Sequence, residues 1–215
     1  MKFVTVVDYG LGNLFNLVTA LRVVGAEVKV TDDPGEVARS GRVILPGVGA
    51  FGPGMDVLRA KALDEAIREV RRSGRPLLGI FLGMQFLMTE SEEHGLHRGF
   101  DFIPGRVRLF EATRGGERVC KVPQISWNRL EPNSAAPALW EQSVLRGTPS
   151  GVEMYFVHSY YVQTGDPHHT IATTEYGGQT YASVVGHENV CGVQFHPERS
   201  AASGLKLLQN FLETK

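Results

Sequence analysis

The sequence predicts an α/β fold: a mostly parallel sheet with helices on both faces, plus an added section of antiparallel strands. The parallel part is predicted because short apolar runs alternate with helical patterns in the first half of the chain. The antiparallel part is predicted because strand-like runs follow one another in the second half, two of them around the turn pair Gly177-Gly178. Neither a Pro/Ser-rich linker nor a repeat divides the sequence, so we expect residues 1–215 to form one domain.

The predicted strands are runs of apolar and β-branched residues bounded by turn residues. In the first half they lie at residues 3–7, 28–31, 42–45 and 76–80. In the second half they lie at residues 106–110, 119–122, 154–162, 170–174, 181–185 and 190–195.

The predicted helices are apolar residues at three/four spacing. The first begins after a capping Asn13 and stops at Gly25, as helices often do at these residue types. The next spans residues 53–72, a third opens over residues 82–88, and the last covers residues 203–212.

The composition narrows the class of protein. The chain has 22 basic and 23 acidic residues, a net charge of −1 and 42% hydrophobic residues. This balance excludes a disordered chain, a histone-like nucleic-acid binder and a polybasic membrane-surface protein. Two cysteines exclude a disulfide scaffold and a four-cysteine zinc site. With no signal-peptide pattern and no apolar stretch near ~20 residues, we expect a cytoplasmic protein that binds no nucleic acid, membrane or metal ion.

A glycine motif follows the third predicted strand. The run from Gly47 through Gly49 to Gly52 reads G-x-G-x-x-G, but a dinucleotide site would need this turn after the first strand and an acid closing the next strand. We therefore expect no cofactor. The simplest interpretation is a tight turn; the functional one is a loop whose backbone N–H groups stabilise an oxyanion.

A second glycine pattern joins the fourth strand to a helix. Gly79 and Gly83 flank Phe81 at minus two and plus two, which is the spacing of a nucleophile elbow. Small neighbours are needed there because the central residue lies on a strained turn that presses strand against helix. A phenyl ring cannot attack a carbonyl, so a strand-to-helix connection with a core Phe is the competing interpretation.

A candidate base follows the last predicted strand. Glu198 lies two residues after His196, a spacing that lets the carboxylate orient the imidazole as the third group of a triad. The alternative is an ordinary histidine, since the chain has six others. Cys120 and Cys191 are both predicted to be small buried residues rather than substitutes for a nucleophile.

Taken together, these residues resemble the class I glutamine amidotransferases over nearly the whole chain. The elbow and the His-Pro-Glu segment are common to many members of that family. Three other segments narrow the resemblance to a subfamily that works beside a cyclase in histidine synthesis. The six segments, in order, are Val7–Leu14, Leu45–Gly52, Gly79–Gln85, Val122–Asn128, Tyr155–Tyr161 and Gly192–Ser200.

The resemblance implies a glutaminase. In such proteins a Cys at the elbow attacks the side-chain amide of glutamine, a His transfers the proton, and water releases glutamate from a thioester. Position 81 is then the nucleophile position, His196 the base and Glu198 its orienting acid. The residues implied at the oxyanion hole and the glutamine site are Gly47, Gly49, Leu82, Gln85, Ser159 and Tyr160.

The resemblance also implies a partner. The cyclase subunit, a (β/α)₈ barrel, would form a heterodimer with this chain, receive the ammonia and make imidazole glycerol phosphate. Family members need the partner's ligand to activate the site, which implies reorientation of the loop at residues 47–49.

Three positions depart from the family pattern. Phe81 stands where the family has Cys, Ser126 where Gly is usual, and Arg199 where Lys is usual. We therefore predict that this chain does not hydrolyse glutamine and that the Phe81 ring occupies the glutamine site. Three possibilities stay open: a silenced amidotransferase, a docking module for a cyclase that uses free ammonia, or a paralogue of surface-sugar synthesis.

Overall fold

The computed structural model describes residues 2–12 and 14–214, and the predicted cap at Asn13 lies outside them. The strands in chain order are β1 Lys2–Val7, β2 Ala26–Thr31, β3 Val43–Leu45, β4 Leu77–Ile80, β5 Glu90–Ser91, β6 His97–Arg98, β7 Gly105–Leu109, β8 Thr113–Arg114, β9 Glu117–Arg118, β10 Gln124–Arg129, β11 Glu131–Pro132, β12 Glu153–His158, β13 Tyr160–Thr164, β14 Thr170–Tyr176, β15 Gln179–His187 and β16 Val190–Val193.

The helices follow the same order along the chain. They are α1 Leu14–Val23, α2 Pro34–Arg39, α3 Phe51–Ala60, α4 Leu63–Arg72, α5 Leu82–Phe86 and α6 Ala201–Glu213. Short 3₁₀ turns lie at Pro137–Leu139, Pro167–His169 and Pro197–Arg199.

The parallel half of the sheet has the strand order β2-β1-β3-β4-β16. Its inner strands are apolar on both faces: in β1, Val4 and Val6 pack into the core that holds α1 and α6, while Val7 packs into the core that holds α2 to α5. Burial on both sides explains why these inner strands read as apolar runs, whereas the edge strand β2 carries Glu27 and Lys29. The predicted parallel sheet with helices on both faces is confirmed.

The antiparallel half continues from β16 through β15 to β13 and β7, with β14 also pairing to β15. Gly177 and Gly178 connect β14 to β15 with φ values of 59° and 68°. Positive φ at both central residues is what a type I′ hairpin turn requires, so this predicted hairpin is confirmed. A separate two-stranded sheet, β10 with β12, packs beside the main sheet.

The single helix predicted over residues 53–72 is wrong, because the chain breaks into α3 and α4 at Ala62, whose φ is 54°. Leu58 and Leu63 are five residues apart, which on one helix would place them about 140° apart around the axis. The break lets both side chains be fully buried. The short helix α2 was not predicted, although Asp33 caps it by accepting a hydrogen bond from the Glu36 N–H.

Two strand predictions are also wrong. Residues 119–122 form no strand, and β10 begins only after Pro123, which has no N–H for a ladder. The single strand predicted over residues 154–162 divides at Ser159 into β12 and β13, which pair with different sheets. Its apolar and aromatic residues run on unchanged where the chain crosses between sheets, so the pattern contains no sign of the break.

The connection from β4 to α5 brings the helix into direct contact with β3. A Cβ atom at Gly79 would lie 2.6 Å from the carbonyl oxygen of Gly83, and a Cβ atom at Gly83 would overlap the carbonyl oxygen of Leu45. Backbone atoms cannot yield as side-chain ends can, so only glycine fits at both positions. This contact fixes where the residue between them, Phe81, is presented.

We predict that Gly83→Ala lowers the free energy of unfolding by about 2 kcal/mol or more, because the added methyl group meets backbone. Gly41→Ala is the matched control, since nothing lies within 4 Å of a Cβ atom there; it should change stability by no more than about 0.5 kcal/mol. Urea unfolding followed by circular dichroism measures both. Equal midpoints for the two variants would contradict the tight contact.

Candidate active site

Three connections meet at the carboxyl edge of the parallel sheet. β3, β4 and β16 are neighbours, and their last residues are followed by Gly47, Phe81 and His196 within a few positions. Open parallel sheets bind ligands at this edge because the loops of adjacent strands converge there. The predicted glycine loop, elbow and base are therefore brought together by the topology.

Phe81 occupies a strained turn. Its φ of 56° and ψ of −111° lie in a region that side-chain-bearing residues rarely adopt, at a cost of about 1–3 kcal/mol. Its N–H donates to the Val193 carbonyl at 2.8 Å, and its own carbonyl accepts from the N–H of Met84 at 3.0 Å. Hydrogen bonds on both sides hold the backbone in this conformation.

His196 and Glu198 form a close pair, as the spacing predicts. His196 Nδ1 lies 2.8 Å from Glu198 Oε1, and both side chains are largely buried. With Nδ1 paired to the carboxylate, Nε2 is the nitrogen that can exchange a proton with a reacting group. The Phe81 ring stacks on the imidazole, with centroids 4.9 Å apart and planes inclined by 25°.

A cavity of about 440 Å³ opens beside Phe81. The ring forms part of its wall and leaves this volume open, contrary to the prediction that the ring occupies the glutamine site. Of the predicted binding residues, Gly49, Gln85, Ser159 and Tyr160 line the cavity, whereas Gly47 and Leu82 do not. The full lining is Gly49, Phe81, Gln85, Glu93, His94, Leu109, Pro123, Val157, His158, Ser159 and Tyr160.

Gln85 is held by two acceptors. Its Nε2 donates to the Tyr160 carbonyl at 3.1 Å and to Gln194 Oε1 at 3.3 Å. Both amide hydrogens are thereby used, which leaves Oε1 to accept a hydrogen bond from a bound molecule. The Tyr160 carbonyl also lies 2.8 Å from His158 Nδ1, so two side chains fix this stretch of backbone.

Six lining residues were not predicted as site residues, among them the adjacent pair Glu93 and His94. Glu93 Oε2 accepts a hydrogen bond from the Phe51 N–H at 2.7 Å, at the start of α3. A carboxylate in this position gives the cavity a negative group that can receive an ammonium. In the sequence Glu93 belongs to an ordinary charged run, and nothing there marks it.

The backbone of the loop at residues 47–49 has N–H and carbonyl groups that are available for hydrogen bonds to a ligand. Between Gly47 and Gly49 neither the backbone N–H groups nor the carbonyls bond to any residue that the structure describes. Val48 is 39% exposed, and Gly49 has a φ of 103°. Free N–H groups at this position suit an oxyanion loop, as the sequence predicts.

His158 is fully buried beneath the cavity, among Phe110, Phe156 and Tyr181. Burial lowers the pKa of His158 to about 4, so the ring is neutral at physiological pH. In its neutral form it can donate one hydrogen bond, from Nδ1 to the Tyr160 carbonyl, while Nε2 lies 3.3 Å from the Tyr181 hydroxyl, which donates to Gln124 Oε1 at 3.0 Å.

The two cysteines do not line this cavity. Burial raises the pKa of the Cys191 thiol to about 12, which suppresses the thiolate that a nucleophile needs. Cys120 is buried, with Sγ 3.5 Å from the Glu111 carbonyl oxygen.

Among the residues that the structure describes, no group of three or more His, Cys, Asp or Glu is arranged to hold a metal ion. No helix in residues 2–12 and 14–214 combines the length and apolarity of a membrane span.

An elbow position, a histidine paired with a glutamate and a loop whose N–H groups bond to no described residue form an arrangement typical of hydrolases that attack carbonyls with a side-chain nucleophile, although the elbow residue here is Phe81. A family model described as "Glutamine amidotransferase class-I" matches residues 5–214. The chain belongs to the class I glutamine amidotransferase family.

Similar proteins cover nearly the whole chain. The chain is 45% identical over 210 residues to the imidazole glycerol phosphate synthase subunit HisH of Syntrophotalea carbinolica, covering 97% of this chain and 98% of that protein. It is 44% identical over 214 residues to the protein of the same name from Moorella thermoacetica, covering 99% and 95%. The structure of PurLQS from Thermotoga maritima superposes with a TM-score of 0.72 at 21% identity, over 99% of each chain, and supports the fold.

We predict that His158 makes the stability of the protein depend on pH. Because its pKa is about 4 in the folded state and near 6.5 when unfolded, the unfolded chain binds more protons between these values. Stability is therefore full above pH 6.5 and declines by about 3 kcal/mol as the pH falls towards 4.

Urea unfolding of His158→Gln at several pH values tests this, since the glutamine cannot titrate and should flatten the slope. His168→Gln, at a largely exposed position, is the control and should keep the slope of the parent chain. A His158→Gln variant with the parent's slope would contradict the assignment.

Proposed function

We propose that this chain is the amidotransferase subunit of an imidazole glycerol phosphate synthase. Its site would hydrolyse glutamine, and the ammonia would pass to the cyclase subunit of that enzyme for histidine biosynthesis. The observation that carries the proposal is the His196–Glu198 pair, 2.8 Å apart, beside the elbow. Relatives at 44–45% identity bear the name of this subunit, and the family match over residues 5–214 supports one domain spanning residues 1–215.

The chemistry follows from the site if position 81 holds a Cys. His196 Nε2 would remove the thiol proton, and the sulfur would attack the amide carbon of glutamine to form a tetrahedral oxyanion. Backbone N–H groups of the Gly47–Gly49 loop and of Leu82 would stabilise that charge. The imidazolium would return the proton to the leaving ammonia, and water activated by His196 would then cleave the thioester to release glutamate.

Glutamine would be held by groups that line the cavity. The Glu93 carboxylate is suited to its α-ammonium. Gln85 Oε1 is available to accept a hydrogen bond from glutamine, because the Gln85 amide hydrogens are already donated to the Tyr160 carbonyl and to Gln194. The backbone of Ser159 and Tyr160, fixed by Gln85 and His158, would contact the other end of the amino acid. A cavity of about 440 Å³ has room for a molecule of this size beside the Phe81 ring.

In the chain as written, the phenyl ring at position 81 provides no lone pair for attack, and it covers one face of the His196 imidazole. We therefore propose that this chain does not hydrolyse glutamine. The observation favours a second candidate function: a docking module for a cyclase that takes free ammonia. An amidotransferase paralogue of surface-sugar synthesis is a third possibility. A cyclase gene next to this one, with histidine-synthesis genes around it, would favour the histidine pathway, and polysaccharide genes there would favour the paralogue.

The face that would receive the cyclase adjoins the cavity. Ile125 and Trp127 lie on one side of β10 and are 60% and 48% exposed. Ile125 pairs with Val157, a lining residue, and exposed Leu109 lies on the same rim. An apolar surface that begins at the cavity and continues onto β10 fits a partner that collects the product.

We predict that Phe81→Cys, mixed with a cyclase subunit and its ligand, releases glutamate from glutamine, whereas the parent chain under the same conditions does not. The added thiol supplies the nucleophile, and removing the ring uncovers His196. Coupled detection of glutamate measures both.

Phe81→Ala is the matched control, because it removes the ring without adding a thiol and should stay inactive. Glutamate release by the parent chain at the rate of Phe81→Cys would overturn the proposal that this chain does not hydrolyse glutamine. No release by Phe81→Cys in the presence of the cyclase and its ligand would overturn the proposed glutaminase site. The parent chain and Phe81→Cys should both support cyclase turnover with added ammonium.

We predict that Trp127→Ala weakens the complex with the cyclase subunit about tenfold or more, as expected for an aromatic anchor in an interface. Isothermal titration calorimetry measures the dissociation constant. Val23→Ala, at an exposed apolar position at the far end of α1, is the control and should bind as the parent does. Equal affinities for the two variants would place the interface elsewhere.

A further inference from the structure

The hydroxyl of Tyr9 lies in the core without a hydrogen-bond partner among the residues that the structure describes. The side chain is 2% exposed, and its ring packs edge-on against Phe86 in α5, with centroids 6.2 Å apart. Burial raises the pKa of Tyr9 above its ordinary value, so the group stays protonated and is a hydrogen-bond donor. Buried hydroxyls are normally partnered, so this one needs an explanation.

Its neighbour is the glycine loop of the active site. A Cβ atom at Gly47 would overlap the Tyr9 hydroxyl oxygen, so the loop backbone rests on this group and only glycine allows the approach. The peptide units between Gly47 and Gly49 make no hydrogen bonds to described residues, as noted above. A rotation of one of them would therefore break none of those bonds, and Gly49 on one side and Gly47 on the other make it sterically easy.

We propose that Tyr9 is a positioning residue for the oxyanion loop: its hydroxyl binds a carbonyl of the Gly47–Gly49 segment when that peptide unit rotates. In a planar trans peptide the C=O and N–H groups point in opposite directions. A carbonyl turned inward to Tyr9 thus sends the N–H of the same unit outward, away from the core. The outward N–H is the group that an oxyanion needs, so the hydroxyl stabilises the loop in its catalytic orientation.

This proposal depends on the proposed function, so the first test uses a chain able to react. In the Phe81→Cys background with the cyclase subunit and its ligand, Tyr9→Phe should lower kcat about tenfold or more and leave KM for glutamine within twofold. The reason is that an oxyanion hole acts on the transition state and not on the bound substrate. A change in KM alone, or a kcat within twofold of the parent, overturns the proposal.

Tyr176→Phe is the matched control, since it removes a hydroxyl bonded to the Lys121 carbonyl, outside the residues that line the cavity. It should leave kcat and KM unchanged. Thermal unfolding of each variant checks the fold, and a Tyr9→Phe variant that melts with the parent excludes a loss of structure as the cause.

The second test does not need hydrolysis and uses the chain as it stands, with Phe81. Hydrogen–deuterium exchange at residues 47–50 is measured in the complex with the cyclase subunit and its ligand. If Tyr9 holds the rotated loop, the outward N–H exchanges readily in the parent complex, and exchange should be several-fold slower in Tyr9→Phe, where that N–H turns back towards the core; equal or faster exchange in Tyr9→Phe overturns the proposal. Failure of Phe81→Cys to release glutamate would instead count against the proposed function, and the exchange measurement still decides the role of Tyr9.

Discussion

The edge of the sheet that carries the candidate site depends on one steric contact, the approach of Gly83 in α5 to the carbonyl oxygen of Leu45 in β3. Because no side chain fits between them, α5 starts immediately after β4 and the intervening residue takes a positive φ. The strain is offset by the hydrogen bonds that tie position 81 to β16 and to the first turn of α5. The same contact places the glycine loop, which follows β3, directly beside the elbow.

The two halves of the sheet supply different parts of the site. The parallel half provides the loop, the elbow and the strand that leads to His196. The antiparallel half provides the wall opposite, where the chain turns from β12 into β13 at Ser159. Gln85, in α5 of the parallel half, and His158, at the end of β12 in the separate two-stranded sheet, both bind the Tyr160 carbonyl at the start of β13, so the cavity wall is fixed by contacts between these parts. A site assembled in this way needs both parts of the sheet, although the candidate loop, elbow and base occupy one edge.

Sequence reasoning located the parts of the site that local rules control. The glycines at 79 and 83 are spaced by the geometry of one turn, and Glu198 reaches His196 because both lie on one short segment, so both could be predicted. Glu93 lines the cavity and accepts a hydrogen bond from the Phe51 N–H at the start of α3, 42 residues away in the sequence. No local sequence pattern predicts such a long-range contact. Tyr9 is likewise conspicuous only once its hydroxyl is seen against Gly47. Two of the misjudged elements have the same origin, since the breaks at Ala62 and Ser159 accompany packing against other elements, whereas the strand wrongly predicted over residues 119–122 and the unpredicted α2 carry local signals at Pro123 and Asp33.

The stacked pair of Phe81 and His196 has a consequence for how such a protein changes over time. The architecture constrains the residues on either side of position 81 and the backbone at it, while the side chain lines the cavity, stacks on His196 and is only partly buried against the two cores. Chemistry and scaffold are therefore separable at a single residue. A lineage could lose hydrolysis here and keep its partner, or regain hydrolysis by one substitution, without crossing a state that fails to fold.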